Sequence, residues 1–443
     1  MSDNGWERLT VSQLGTTASG PFGSNLTSKD YVKEGIPVIR GENLAMGRWI
    51  TDPFTFVSED KAKSLRTNTA LPGDVIFTQR GTLGQVALVP PHSYPGYVIS
   101  QSQMRLRPDP SRADATFLYY LFSSQEQQDY IRARTIQTGV PHTNLGFLRQ
   151  TPLRLPPVHE QRAIASVLGG LDDKIELNRR MSDTLEALAR AIFQSWFIDF
   201  DPVRARAEGR APTGVDAEAA SMFPSSLVDS PLGSIPAGWD AVRLGWQIEV
   251  VRGLSYSGSG LTHADGGGLP MHNLNSIHEG GGYKRDGLKW YMGLYQARRV
   301  VTAGDLIVAN TEQGFDRRLI GYPALVPSGG GDPSLFSHHL FRVRPRTESR
   351  LTAAYLYHLL ISRRYHDEVA AYANGTTINM LPNAGLERPW IALPPVGLVR
   401  RFGDIVGPML EQQEGLVAQS QTLADLRDLL LPKLVTGDLR LAG

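Results

Sequence analysis

The chain has 443 residues, 41% of them hydrophobic and 20% charged, with a formal net charge of +1. That is the profile of a globular protein long enough for two or more domains, each with its own core. It has no cysteine, so disulfides, thiolate metal centres and cysteine nucleophiles are excluded. No apolar run approaches the ~20 residues of a membrane span. The start, Met1-Ser2-Asp3-Asn4-Gly5-Trp6, has no basic stretch followed by an apolar one, so a cytoplasmic location is expected. A net charge near zero removes any argument from global basicity but leaves room for local patches. Arginine supplies 37 of the 45 Lys and Arg residues. It suits bidentate contacts to phosphate and guanine; a GC-rich genome gives the same bias.

In chain order, residues 6–157 contain short β-like runs at 36–39, 74–77, 85–89 and 103–106, bounded by turn residues such as Pro72-Gly73-Asp74 and Pro108-Asp109-Pro110. Phe117, Tyr120, Leu121 and Tyr130 make one apolar face and predict a helix over 116–131. A mixed α+β domain with a mostly antiparallel sheet is expected. A helix begins after Pro156-Pro157. Its stripe, Ile164, Leu168, Leu171, Ile175, Asn178, Ser182, Leu185, Leu188 and Ile192, follows three- and four-residue steps for four heptads. Asn178 sits at a core position, where a polar residue fixes register. From 158 to 197 the rise is about 60 Å at ~1.5 Å per residue, too long to bury inside one small domain. Residues 201–236, rich in Pro, Ala, Ser and Gly, predict a surface linker. A second globular part follows over 237–395. Residues 396–443 form a second long helix with Phe402, Ile405, Met409, Leu416, Leu423, Leu426 and Leu430 as its stripe; Gly403, Gly407-Pro408 and Gly415 should loosen its first turns.

The chain is written twice. Leu155-Pro156-Pro157-Val158 recurs as Leu393-Pro394-Pro395-Val396, 238 residues later, and the offset holds through the helix behind each copy. Gly35-Ile36-Pro37 pairs with Gly268-Leu269-Pro270, Ala87-Leu88-Val89-Pro90 with Ala324-Leu325-Val326-Pro327, and Arg105-Leu106-Arg107-Pro108 with Arg342-Val343-Arg344-Pro345. The expected fold is α+β: two globular domains related by a pseudo-twofold and joined by two long antiparallel coiled-coil helices. Such a molecule suits two half-sites on something that has a twofold of its own, such as duplex DNA.

Three segments carry a resemblance. They are Leu155-Pro156-Pro157-Val158-His159-Glu160-Gln161-Arg162-Ala163-Ile164, Phe193-Gln194-Ser195-Trp196-Phe197-Ile198-Asp199-Phe200-Asp201-Pro202-Val203, and Phe223-Pro224-Ser225-Ser226-Leu227-Val228-Asp229-Ser230 with Gly233-Ser234-Ile235-Pro236-Ala237-Gly238-Trp239. They resemble the start of the central helix, its exit and the lead-in to the second domain in the DNA-specificity subunits of type I restriction–modification enzymes. The resemblance covers essentially the whole chain. It implies target recognition domains at 1–157 and 237–395, conserved helices at 158–200 and 396–443, and the linker 201–236. It also implies assembly with two adenine-N6 methyltransferase subunits, and with translocating nuclease subunits for restriction in phage defence. S-adenosylmethionine, and ATP with Mg for restriction, would belong to those partners. Glu160, Gln161, Trp196 and Phe197 are the expected partner-binding residues. The second copy departs from the pattern, with Gly397-Leu398-Val399 in place of His159-Glu160-Gln161.

The chain has no motif for catalysis. Its Pro-Pro pairs lack the polar residue before and the aromatic after that hold a flipped base in an amino-methyltransferase. There is no P-loop and no His-Glu-x-x-His. His338-His339 has no third ligand nearby in sequence. Base reading needs polar side chains on turns that can enter a groove. In the first domain Arg40, Asn43, Gln79, Arg80, Thr82, Gln101, His142 and Asn144 stand at such turns. In the second, His272, Asn273, Asn275, Asn310, Gln313, His338, Thr376 and Asn379 recur at equivalent places. Each is equally an ordinary polar turn capping its own backbone. Arg132, Arg134, Arg363 and Arg364 are either phosphate contacts or solvated helix ends. A non-catalytic DNA reader is expected, its domains held about one DNA turn apart centre to centre, with a bipartite target and an unread spacer. The alternative is a pseudo-symmetric scaffold that only assembles proteins.

Overall fold

The computed structural model describes residues 5–44, 47–134, 142–314, 316–329, 333–375 and 378–441. The chain forms two compact units. The first comprises Met1–Arg179 with Ala418–Gly443, and the second Arg180–Val417. Among the described residues no helix is long and apolar enough to cross a membrane.

In the first unit, strands Gly15–Ser19, Gln103–Pro108, Val75–Thr78 and Val86–Leu88 form an antiparallel sheet in that order. A second sheet runs Tyr31–Val32, Thr55–Val57, Ile36–Ile39, Tyr97–Ile99, Thr69–Ala70. It is antiparallel except for the parallel pair Ile36–Ile39 with Tyr97–Ile99. Glu7–Thr10 pairs with Pro152–Leu155 and closes the domain. Val75, Phe77, Leu106, Phe117, Leu118 and Leu168 share one core, while Ile39, Ile76, Ala87, Tyr97 and Ile99 share another. The central strands are buried on both faces, and so read as continuous apolar runs rather than alternating ones.

The second unit has the same topology. Its four-stranded sheet runs Ile248–Arg252, Leu340–Pro345, Leu306–Ala309, Pro323–Leu325, and its five-stranded sheet Leu261–Thr262, Lys289–Tyr291, Leu269–His272, Ser334–Phe336, Val300–Val301. One parallel pair, Leu269–His272 with Ser334–Phe336, again stands in an otherwise antiparallel sheet. The registers agree as well: Met104 faces Ser19 where Phe341 faces Arg252. The repeat legible in the sequence is therefore a repeat of fold.

The helix predicted over 116–131 is two helices, Ala115–Ser123 and Gln125–Ala133, broken at Ser124, whose ψ is 149°. Its hydroxyl donates to Leu121 O at 2.6 Å, and this local bond competes with continuing the helix. Ser362 breaks Ala353–Ile361 from Arg363–Ala370 in the same way.

The first long helix spans Val158–Phe193 and the second Val396–Thr436. Unit boundaries fall inside both. Within the first unit their segments run antiparallel: Arg427 Nη1 donates to Asp172 at 2.8 Å and Asn178 Nδ2 to Gln419 Oε1 at 2.8 Å. Within the second, Gln413 Nε2 donates to Ser182 O at 2.9 Å, and the Phe193 and Phe402 rings lie 5.5 Å apart. Two stripe positions depart from the seven-residue pattern. Leu188 is 47% exposed while Ala189 is buried, and Leu426 is exposed. A helix near 3.6 residues per turn drifts ~20° per heptad from a strict repeat, and past Asn178 the buried face has moved by one residue. Gly403, Gly407 and Gly415 leave the second helix unbroken, since packing overrides their propensity cost.

A π-turn, Gln194–Ile198, follows the α-helix, and Phe200 takes a left-handed φ of 58°. Residues 201–236 are not a surface linker. They fold as helices Asp201–Ala207 and Ala217–Met222 and the hairpin Leu227–Ser230 with Gly233–Pro236. Val203, Ala219, Phe223 and Ile235 are buried in the second unit's core.

One ion pair recurs in both units. Asp74, almost fully buried, accepts two bonds from Arg107 at 2.8 Å and one from Leu71 N at 2.7 Å, with the buried Arg105 beside it. Asp305 holds Arg344 and Thr302 N identically, beside Arg342. Removing the carboxylate strands a buried guanidinium. Asp74→Ala should cost about 2–3 kcal/mol, short of the full penalty for an enclosed pair because Arg107 is 39% exposed. Urea denaturation compared with the exposed control Asp60→Ala checks this.

Candidate nucleic-acid interface

In the first unit the turns that follow the central strands are sewn together by backbone bonds. Gln79 N and Arg80 N both donate to Ser102 O, at 2.6 and 3.4 Å, and Thr143 N donates to Gln79 O at 2.9 Å. Arg80 and His142 form an antiparallel bridge. Ser100 N donates to Ile39 O and Gly20 N to Gln103 O, both at 2.9 Å. The Gln101 amide reaches Gly23 O and Leu26 O at 2.7 and 2.6 Å. Segments distant in sequence thus make one surface. The second unit repeats it. Asn310 N donates to His339 O at 3.0 Å, Leu381 N to Asn310 O at 2.8 Å and Gly253 N to Leu340 O at 3.0 Å. Strands Thr311–Gln313 and Ile378–Met380 pair where the first unit has its single bridge.

The candidate residues divide by exposure. Arg80, Thr82 and Gln101 are exposed in the first unit, and Asn275 and Gln313 in the second. Arg40 is part-exposed and pairs with Glu42 at 3.0 Å. Gln79, His142, His338 and Asn379 are half-buried; the Asn379 amide donates to Gly314 O. Others serve the scaffold. Asn43 is 1% exposed, accepts from Arg40 N and donates to Thr51 O and Pro53 O. Asn144 caps helix Leu145–Gln150 through Phe147 N. Asn273 is buried, capping its own turn and holding Gly287 O. Asn310 is buried and donates to His338 O. His272 is buried between Ser334 Oγ at 2.8 Å and Tyr283 OH at 3.0 Å. A polar residue at a turn is as readily the turn's own fastening as a contact; burial marks Asn43, His272, Asn273 and Asn310 as fastenings, and the cap bond marks the exposed Asn144. Thr376 lies outside the described residues.

The expected partner contacts need correcting. Gln161 is buried in the first unit, donating to Pro156 O at 2.8 Å and accepting from Asp114 N at 2.9 Å. Trp196 and Phe197 are buried in the second unit's core, against Phe223 and Trp239 respectively. Glu160, half-exposed in the first turn of its helix, is the member of the set that remains at the surface. Arg132 pairs with Asp129, Arg134 covers Tyr130, and Arg363 pairs with Asp367, as solvated helix ends do.

Sequence reading missed residues 252–256 and 289. Arg252 is exposed and donates to His338 O at 3.1 Å; Lys289 Nζ donates to Tyr256 OH at 2.6 Å. Burial, then these two cations, hold the His338 imidazole below its ordinary range; for His339, burial leads again, followed by His338 and the same cations. The second cluster is electropositive before any histidine titrates. Arg252 is the structural counterpart of Ser19, a match hidden in sequence because the two residues share no type.

Burial pushes the His272 pKa down to about 4. The unfolded chain takes up this proton near 6.5, the folded chain only near 4. Stability is therefore complete above pH 6.5 and is lost as pH falls from there toward 4, by up to about 3 kcal/mol from this group. Chemical denaturation followed across that window should show His272→Gln losing one proton's worth of the slope.

Residues 4–187 match the family described as the Type I restriction modification DNA specificity domain. The MjaIX type I restriction enzyme specificity subunit of Methanocaldococcus jannaschii is 23% identical over 98% of this chain and 94% of its own. The HindI specificity subunit of Haemophilus influenzae is 25% identical over 83% and 86%. The crystal structure of a type I restriction-modification S subunit from M. genitalium matches 98% of this chain and 97% of its own with a TM-score of 0.59, at 15% identity; at that identity the likeness is one of fold. Residues 4–187 thus carry the likeness to a DNA specificity domain, and the relatives that align along most of the chain are type I restriction specificity subunits.

Proposed function

We propose that this chain is the sequence-specific DNA-binding subunit of a type I restriction–modification complex. The observation that carries the reading is the duplicated turn cluster: each unit gathers exposed polar and basic side chains on a surface braced by backbone hydrogen bonds. Preformed turns lose little entropy on binding and hold base-reading groups in register. Two such clusters suit a bipartite target whose half-sites lie about one DNA turn apart, centre to centre, with an unread spacer between them. Two methyltransferase subunits, carrying S-adenosylmethionine, would flip and methylate an adenine in each part. Translocating nuclease subunits would add restriction with ATP and Mg. No residue of this chain is assigned to those cofactors. Glu160 is the retained candidate for a partner contact.

Methylome sequencing of the host before and after deletion of the gene tests the reading. A bipartite N6-methyladenine motif should vanish with the gene. An unchanged methylome, or binding of the purified chain that shows neither sequence preference nor loss with salt, leaves the protein-assembly scaffold instead.

Arg80 is the strongest single base-reading candidate, exposed yet fastened at its backbone to Ser102 O. Arg80→Ala should weaken binding to the motif by ~1–3 kcal/mol and relax preference at one position. Titration against the motif and its single-base variants measures both; undiminished affinity removes Arg80 from the interface.

A further inference from the structure

We propose that Phe22 is an apolar wedge with which the first unit enters a base step of the DNA it reads. The inference rests on the DNA-reading function above and goes beyond it, to a contact made through stacking rather than hydrogen bonding.

Phe22 is 90% exposed. The loop that carries it is tightly braced. Pro21 is buried immediately before it. Gly20 N donates to Gln103 O at 2.9 Å, and a Cβ at Gly20 would stand 1.9 Å from Ser100 O, so the backbone there is pressed against the reading turns. Beyond the tip, Leu26 is buried with Val38, Val57 and Val98. The Gln101 side chain clamps the loop by holding Gly23 O and Leu26 O. A large aromatic is thus presented to water on a fixed support, where the loop could have folded it inward.

The position decides what the ring is for. The same Ser100–Gln103 turn that braces the Phe22 loop supplies Ser102 O to Gln79 and Arg80. The ring therefore belongs to the surface proposed to face DNA. Its neighbours Gly23, Ser24 and Asn25 are small or polar and exposed, so it can enter a groove without carrying bulk. An apolar side chain that enters a base step unstacks it and kinks the duplex, and an aromatic face can stack on any base. The ring is not repeated at the equivalent place in the second unit. Gly253, the counterpart of Gly20, donates to Leu340 O as Gly20 does to Gln103 O, and a Cβ there would stand 2.0 Å from Ser337 O. The residue two places on is Ser255, which has no ring to insert.

The test uses the full chain with its methyltransferase partners and duplexes of the methylated motif, each with 2-aminopurine at one position. Wild type should brighten the probe at one step, in the half of the motif read by the first unit, and should bend end-labelled duplex by energy transfer. Phe22→Ala should abolish both signals and weaken binding about tenfold or more. Phe22→Trp should keep them. Unchanged thermal unfolding of the alanine variant shows that the effect is on the complex. If wild type binds the motif and Phe22→Ala keeps the brightening and the bend, the wedge is wrong while DNA reading stands. If Phe22→Ala instead loses methyltransferase subunits with both DNA signals intact, the ring is a protein contact and the proposal falls. If wild type does not distinguish the motif from other DNA, the functional reading fails and takes the wedge with it.

Discussion

Each unit depends on one backbone approach that only glycine allows. At Gly20 and at Gly253 a Cβ would stand about 2 Å from a carbonyl oxygen of the facing turn, Ser100 in one unit and Ser337 in the other. The contact joins the end of an edge strand of the four-stranded sheet to the turn that leaves the five-stranded sheet. At the same residues Gly20 N and Gly253 N donate to Gln103 O and Leu340 O, extending the four-stranded ladder by one step beside the approach. Since the chain needs glycine for proximity rather than for an unusual φ, no side chain can substitute without moving backbone.

The reading surface is built out of that junction, which explains why so many of its polar residues are not readers. Buried polar groups must be hydrogen-bonded, and a braced turn has more backbone groups to satisfy than an open one. Asn43 and Asn273, both buried, meet that need in their own turns and Asn310 in a neighbouring one, while the exposed Asn144 caps its helix. Their side chains are the reason that Arg80, Gln101 and Gln313 can stand exposed on fixed backbone. Fastening and reading use the same residue types, and composition at a turn does not separate them.

What was legible in the sequence was whatever periodicity or repetition encodes. The duplicated segments identify two units, and the structure gives them one strand order and one register. The long helices follow from their apolar stripes. What was not legible depended on competition between local and long-range effects. Ser124 breaks a helix whose apolar spacing is continuous, because its hydroxyl has a closer use. The 201–236 segment has linker composition, yet Phe223 and Ile235 find a core to enter. Trp196 and Phe197 look like an exposed aromatic patch in a list of residues; the π-turn at 194–198 and the left-handed Phe200 turn them inward. Gln161 and Val399 occupy the same place in the repeat and both are buried. That position is about packing at the helix start, whatever its polarity.

Duplication with divergence accounts for the contrast between the two clusters. The shared elements are the ones no single substitution can replace: the junction glycines, the Asp74–Arg107 and Asp305–Arg344 pairs, and the serines that split the helices. The differing elements sit on top of them. Where the first unit carries Ser19 and an exposed Phe22, the second carries Arg252 with Lys289 beside His338 and His339, whose rings lie 3.9 Å apart and whose pKa values burial and those cations lower. The Arg252 and Lys289 charges are screened by salt, so the attraction of this cluster for phosphate falls as salt rises. In the first cluster the contribution of an apolar ring is little affected by salt, whereas that of Arg80 is screened like any exposed charge. The scaffold is common to both units because it is fixed by backbone geometry, and the chemistry can differ because side chains at the tips carry no share of that geometry.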